Sequence, residues 1–134
     1  FAPGDHGCTF GGNPLAAAVA VEVLTILVDE KLSDNSAAMG RYLVDALCTL
    51  SSPLITDVRG RGLLLGIEID PQQAAARTVC ERLMAHGILT KETHETVVRL
   101  APPLIIDRQT IDWAVERIDA TLKSLVTTPG PTRA

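Results

Sequence analysis

Apolar residues recur along this chain with two periods, and each change of period marks an element. From Leu15 to Val28 they are almost continuous, broken by Glu22 and Thr25, which reads as a buried helix. Asn13 can cap its free amides, and Pro14 at the first helical position has no amide to leave unpaired. A long helix is expected from about Pro14 to Lys31. Ser33 serves as the cap of a second helix in which Met39, Leu43, Leu47 and Leu50 recur at helical spacing, until Ser51-Ser52-Pro53 closes it. Leu54 to Val58 reads as a strand, Arg59-Gly60-Arg61-Gly62 as a turn, and Leu63 to Ile69 as a second strand, together a hairpin. Pro71 opens a third helix with Val79, Cys80, Leu83 and Met84 on one face, and Gly87 stands where a helix ending at His86 takes a left-handed cap. Ile88 to Lys91 and Thr96 to Leu100 are short strand candidates. Pro102-Pro103 cannot donate to a sheet, so the chain leaves it there. Asp107 caps a last helix whose Ile111, Ala114, Val115, Ile118, Leu122 and Leu125 form an apolar stripe.

Helices alternating with short strand pairs predict an α+β layer: helices packed on one face of a small, mainly antiparallel sheet, preceded by a long helix. Residues 1–31 read as a lead-in, 32–126 as the compact domain and 127–134 as a disordered tail.

Composition narrows the classes of function. A chain of 134 residues can bury a real core, and with 46% hydrophobic but only 3% aromatic residues that core is aliphatic. A net charge of -4 without a basic cluster, and few rings to stack on, argue against a nucleic-acid footprint. Cys8, Cys48 and Cys80 are odd in number and far apart, which argues for a reducing cytosol rather than a disulfide framework. The longest apolar run falls short of the roughly 20 residues that span a bilayer, so no membrane is expected. The opening on Phe1 and a Gly-rich loop reads as a cut through a larger protein.

Two constellations can carry chemistry. Gly4-Asp5-His6-Gly7-Cys8-Thr9-Phe10-Gly11-Gly12-Asn13-Pro14 combines close-approach glycines, a Thr hydroxyl and a following helix N-terminus, which suits a phosphate. A tight loop feeding a helix is the plainer reading on loop chemistry alone, since a Gly-rich loop by itself is weak evidence. Arg99 ends a short apolar strand and precedes Ala101-Pro102-Pro103. A guanidinium there can hold a carboxylate through two parallel hydrogen bonds, or simply stand exposed at a strand end. His6, His86 and His94 match no metal-ligand spacing. Cys8 has no His and carboxamide that the sequence places beside it, and Arg59 and Arg61 read as structural turn residues.

Taken together, HGCTFGGNPLAAAVA (His6 to Ala20), DVRGRGLLLGIEI (Asp57 to Ile69), ILTKETHETVVRLAPPL (Ile88 to Leu104) and IDWAVERI (Ile111 to Ile118) resemble the class III aminotransferases over about Phe1 to Val126. Within the class, GILTKETHETVVRLAPPL is most similar to the ornithine-type enzymes. The resemblance implies the small C-terminal domain of a fold-type I subunit, preceded by the end of the large domain, in a homodimer that uses pyridoxal 5'-phosphate. It implies transfer of the δ-amino group of ornithine to 2-oxoglutarate, giving glutamate semialdehyde and glutamate. It maps onto Thr9 a contact to the cofactor phosphate of the neighbouring subunit, and onto Arg99 the anchoring of a substrate carboxylate. Cys8 departs from the Ser or Thr usual before that Thr, which weakens a second contact to the phosphate. The lysine that forms the Schiff base would lie upstream of Phe1, and Lys31, Lys91 and Lys123 do not match its place. No catalytic residue is therefore expected in this chain, which alone should not transaminate. Two other readings are a non-catalytic remnant or interaction module, and a piece of an acetylornithine or other class III enzyme.

Overall fold

The computed structural model describes residues 2, 4–9 and 11–126; the tail expected at 127–134 lies outside them. The chain divides into two compact units, residues 1–33 and 34–134.

In the first unit Asn13 caps helix α1, Pro14–Asp29, as the sequence predicts. None of its residues is buried, although the helix is apolar almost throughout. It stops two residues short of Lys31, which takes the left-handed conformation at φ 51° and so interrupts the helical run. Helix α2, Leu32–Cys48, starts directly after it. Ser33 therefore lies inside α2 rather than capping it.

The second unit contains a four-stranded antiparallel sheet, order β1-β2-β4-β3, and helices α3, Ala76–Ala85, and α4, Arg108–Val126. Strand β1 is Ile55–Arg61, β2 Leu64–Ile69, β3 Lys91–Thr93 and β4 Val97–Leu100. Paired residues project to the same side of a sheet. Leu65 and Ile67 thus share a face with Leu100 and Val98, and all four are buried with Leu43 and Leu47 of α2, Val79 and Leu83 of α3, and Ile111, Ile118 and Leu122 of α4. The core sits between this face and the helices. The Tyr42 hydroxyl donates to Asp112 Oδ1 at 2.6 Å, joining α2 to α4, and Arg77 on α3 reaches Glu92 on β3 at 3.3 Å.

Four further expectations are corrected. Arg59-Gly60-Arg61 continue β1 and pair with Gly66, Leu65 and Leu64, so the turn is only Gly62-Leu63. Gly62 there has φ 56°, which a side chain would strain. Pro71 opens no helix: the Asp70 carbonyl accepts from Gln73 and Ala74, and its Oδ1 from Gln72, a local turn that delays α3 to Ala76. Met84 is 58% exposed, and Ala76 takes its place among the buried residues of α3. Strand β3 begins at Lys91 instead of Ile88, because the first residue to find a partner on β4 is Lys91, opposite Arg99. The caps at Gly87, φ 84°, and at Asp107, whose Oδ1 accepts the Thr110 amide at 2.8 Å, fall where the sequence puts them. Among the described residues no helix is long and apolar enough to cross a membrane.

Candidate functional site

The candidate chemistry lies in both units: Cys8 and Thr9 belong to the first, Arg99 to the second.

Cys8 and Thr9 are exposed in the loop ahead of α1. Asp5 orders the start of that loop, its Oδ2 accepting the Ala2 amide at 2.6 Å while its own amide donates back to the Ala2 carbonyl at 3.1 Å. At the far end Asn13 Oδ1 accepts the amides of Leu15 and Ala16 at 3.0 and 3.2 Å. Two of the amides that the N-terminus of α1 would offer an anion are thus engaged within the chain. What the loop presents to an anion is the Thr9 hydroxyl and its exposed backbone. Cys8 is a free thiol, a weak donor beside a hydroxyl. It packs toward Gly11, where an added Cβ would stand 3.2 Å from its own Cβ and 3.4 Å from Sγ.

Arg99 owes its position to strand alternation. Val98 and Leu100 turn into the core, and Arg99 between them turns to the opposite face and is exposed. It stands opposite Gly66 on β2 and Lys91 on β3. A Cβ at Gly66 would meet Val97 Cγ1 at 2.8 Å, so that neighbouring position stays bare. On the same face Arg59 is held by Asp57 at 2.8 Å and Glu68 at 2.6 Å. The Thr96 hydroxyl and the Arg59 guanidinium hold the Glu68 carboxyl below its usual range, while Glu68 and Asp57 raise Arg59 further. Arg99 makes no ion pair among the described residues. Arg59 is neutralised by the chain itself, whereas Arg99 is available to an outside anion.

A residue that sequence reasoning missed secures the segment after Arg99. Asn35 on α2 donates through Nδ2 to the carbonyls of Leu104 and Ile106, at 2.6 and 3.2 Å, and so holds the run behind Pro102-Pro103. Nothing in the pattern around Asn35 signals this, since its partners are backbone atoms far along the chain. A cavity of about 210 Å³ near the same segment is lined only by apolar residues, among them Leu43, Leu100, Pro103 and Ile111. It offers a carboxylate nothing.

The remaining candidates are dispersed. Among the described residues no three His, Cys, Asp or Glu side chains gather as a metal site needs. Cys80 is buried in α3 and burial pushes its thiol up, away from the nucleophilic form. Lys31 occupies the left-handed turn after α1, Lys91 the exposed face of β3, and Lys123 of α4 pairs with Asp119 at 2.5 Å.

Residues 1–122 match the family model described as aminotransferase class-III. The chain belongs to the class-III aminotransferase family. Within it, this class-III chain is 52% identical over 124 residues to the ornithine aminotransferase of Bacillus subtilis, covering 92% of this chain and 30% of that protein. The ornithine aminotransferase of Toxoplasma gondii, crystallised with oxidised glutathione and showing partial occupancy of PLP at its active site, shares the fold. Its TM-score is 0.83 at 42% identity, over 92% of this chain and 30% of that one. An acetylornithine aminotransferase from Elizabethkingia anophelis gives a TM-score of 0.83 at 41% identity, over 92% and 33%. Backbone shape therefore does not separate the two donor substrates. The class-III chain spans about 30% of the length of the curated relatives it matches.

Proposed function

We propose that this chain is the small C-terminal domain, with its lead-in loop and helix, of an ornithine aminotransferase. In that enzyme a δ-amino group passes from ornithine to 2-oxoglutarate, giving glutamate semialdehyde and glutamate. The observation that carries the reading is the 52% identity to an ornithine aminotransferase over 92% of the chain. Arg99, exposed and without an ion pair among the described residues, supports it, because both substrates are carboxylates.

Pyridoxal phosphate is the cofactor of this reading, and the residues present fit its phosphate but not its carbonyl. Thr9 offers an exposed hydroxyl, and Asp5, the nearest acid in the loop, is turned to the Ala2 amide. Thr9 would donate to the phosphate of a neighbouring subunit in a homodimer, with Cys8 adding little. The cofactor, when bound, supplies the electron sink that lets a proton leave the carbon bearing the transferred amine. Arg99 would fix a substrate carboxylate in the plane of its two parallel bonds and so orient the rest of the molecule. The lysine such chemistry needs is not assigned to Lys31, in the turn after α1, to Lys91 on β3, or to Lys123, paired with Asp119 on α4; in this reading it belongs to the rest of an enzyme of which the chain spans about 30%.

The test joins the chain to a large domain carrying that lysine and follows glutamate semialdehyde formed from ornithine. Activity that appears only on joining supports the reading. Inactivity despite a folded, associated complex favours an interaction module, and preference for N-acetylornithine moves the assignment to the acetylornithine enzymes. Borohydride reduction of the chain alone with pyridoxal phosphate should leave no lysine labelled stoichiometrically.

A further inference from the structure

One row of residues crosses the sheet on the face away from the core. Arg59 on β1 stands opposite Gly66 on β2, Gly66 opposite Arg99 on β4, and Arg99 opposite Lys91 on β3. Directly opposed residues have their Cβ atoms roughly 4.5–5.5 Å apart and project to one side. Three of the four members are cations. Asp57 and Glu68 neutralise the first of them, Arg59. Lys91 and Arg99 are both exposed, and neither has an acidic partner within ion-pair distance among the described residues.

Like charges set directly opposite each other destabilise a strand pair. An anion shared between them reverses the sign of that interaction. The arrangement is also held in register. The Thr90 hydroxyl donates to the Arg99 carbonyl, and Arg77 of α3 holds the neighbouring Glu92 on the core side of β3. Slipping β3 by one residue would send Lys91 to the core face, where Val98 and Leu100 are buried. Across the loop that joins the strands, His94 and Glu95 both adopt positive φ, 50° and 64°, a conformation kept only where the pairing on either side dictates it.

We propose that Lys91 is a second cationic contact of the Arg99 site. One carboxylate lies between them, accepting two parallel bonds from the guanidinium and a third from the Lys91 ammonium. A carboxylate has about four lone-pair positions, so three such donors are within its capacity. The inference rests on the reading of Arg99 as a carboxylate anchor, and it makes the site selective for ionised carboxylates over their neutral amides.

The test titrates the chain with glutarate at low ionic strength, following the backbone and side-chain N–H signals of residues 90–100 by NMR, with glutaramide as the neutral control. In the wild type the Arg99 and Lys91 signals move with glutarate and not with glutaramide. Lys91→Gln should weaken glutarate about 5-fold and flatten its salt dependence, as loss of one exposed charge at contact distance does. Lys91→Arg should restore affinity, and Arg99→Gln should abolish it. If Lys91→Gln titrates like the wild type while Arg99→Gln fails to bind, the inference is overturned and the Arg99 reading stands. If Arg99→Gln binds glutarate normally, or the wild type shows no response anywhere in the titration, both fall. An unchanged amide spectrum away from the sheet shows that each variant has kept its fold.

Discussion

Gly40 on α2 and Gly62 in the β1–β2 turn meet backbone to backbone: a Cβ added at Gly40 would lie 2.0 Å from the Gly62 carbonyl oxygen. Ser36, one turn earlier, accepts the Leu63 amide through Oγ at 3.1 Å. The helix is thereby docked on the turn through the Ser36 hydroxyl and through bare backbone at Gly40 and Gly62. Gly40→Ala is expected to destabilise the fold by at least about 1–3 kcal/mol, since neither backbone can yield locally. Urea unfolding should show a lowered midpoint with an unchanged slope.

Much of this fold is legible in the sequence where a side chain acts on its own neighbourhood. Asn13 and Asp107 cap the helices that follow them, and Gly87 ends α3. The sheet was harder to read, because its limits depend on partners. Arg59-Gly60-Arg61 has turn composition, yet Arg59 is drawn into β1 by Asp57 and Glu68. Gly60 is small because a Cβ there would stand 2.4 Å from the Leu64 carbonyl oxygen. Arg99 could be singled out locally. Its neighbour across the strands could not, because the spacing from Lys91 to Arg99 carries no register until the loop between them is known.

Thr121 is fully buried in α4, and among the described residues its hydroxyl has no partner. Its Oγ gives up water and gains nothing, a cost of about 1–3 kcal/mol for an unsatisfied buried polar group. Thr121→Val keeps the shape and removes the hydroxyl. It should raise the unfolding midpoint, and a fall would show that the hydroxyl is bonded in solution.

Acid should loosen the fold through carboxylates held below their usual range. The Thr110 hydroxyl and amide lower Asp107, and Thr96 with Arg59 lowers Glu68. A carboxyl whose folded value is depressed contributes stability that is complete above its unfolded value, near pH 4, and is lost as pH falls through the folded value. Asp107→Asn should keep the cap and flatten this acid limb. The opposite limb belongs to Tyr42, raised chiefly by its bond to Asp112. Its contribution is complete below the ordinary tyrosine value near pH 10 and is lost as pH rises through the raised one. Tyr42→Phe should remove that alkaline loss, and thermal unfolding against pH reads both limbs.

In the assembled enzyme Arg99→Lys should reduce kcat/KM for a carboxylate substrate by about 10 to 100-fold, because an ammonium cannot copy the two parallel bonds. Thr9→Ala should instead weaken the cofactor, so that excess pyridoxal phosphate returns part of the activity. Separate titrations of cofactor, ornithine and 2-oxoglutarate distinguish the two. Wild-type efficiency in both half-reactions of Arg99→Lys would return Arg99 to the role of an exposed strand end.

Helix α1 exposes Leu15, Val19, Val21, Val23, Leu24, Ile26 and Val28. So much apolar surface on one element marks an interaction face. The chain by itself is expected to self-associate, and sedimentation at micromolar concentration should show species larger than 14.3 kDa. A non-associating monomer would count against this.

The pairings β1–β2 and β3–β4 are closed by short local turns, whereas β2 and β4 are joined only through the whole of α3. That middle seam is the one place in the sheet where a long loop must close before contacts reward it, and such steps set the pace of folding. Gly66 and Arg99 face each other across this seam. Each hairpin alone carries only part of the charged row, so the row exists only in molecules that have joined both halves. The Lys91–Arg99 pair lies wholly within the β3–β4 hairpin, so an anion held there would bind before the seam has closed and, by mass action, favour that hairpin in half-folded and finished chains alike.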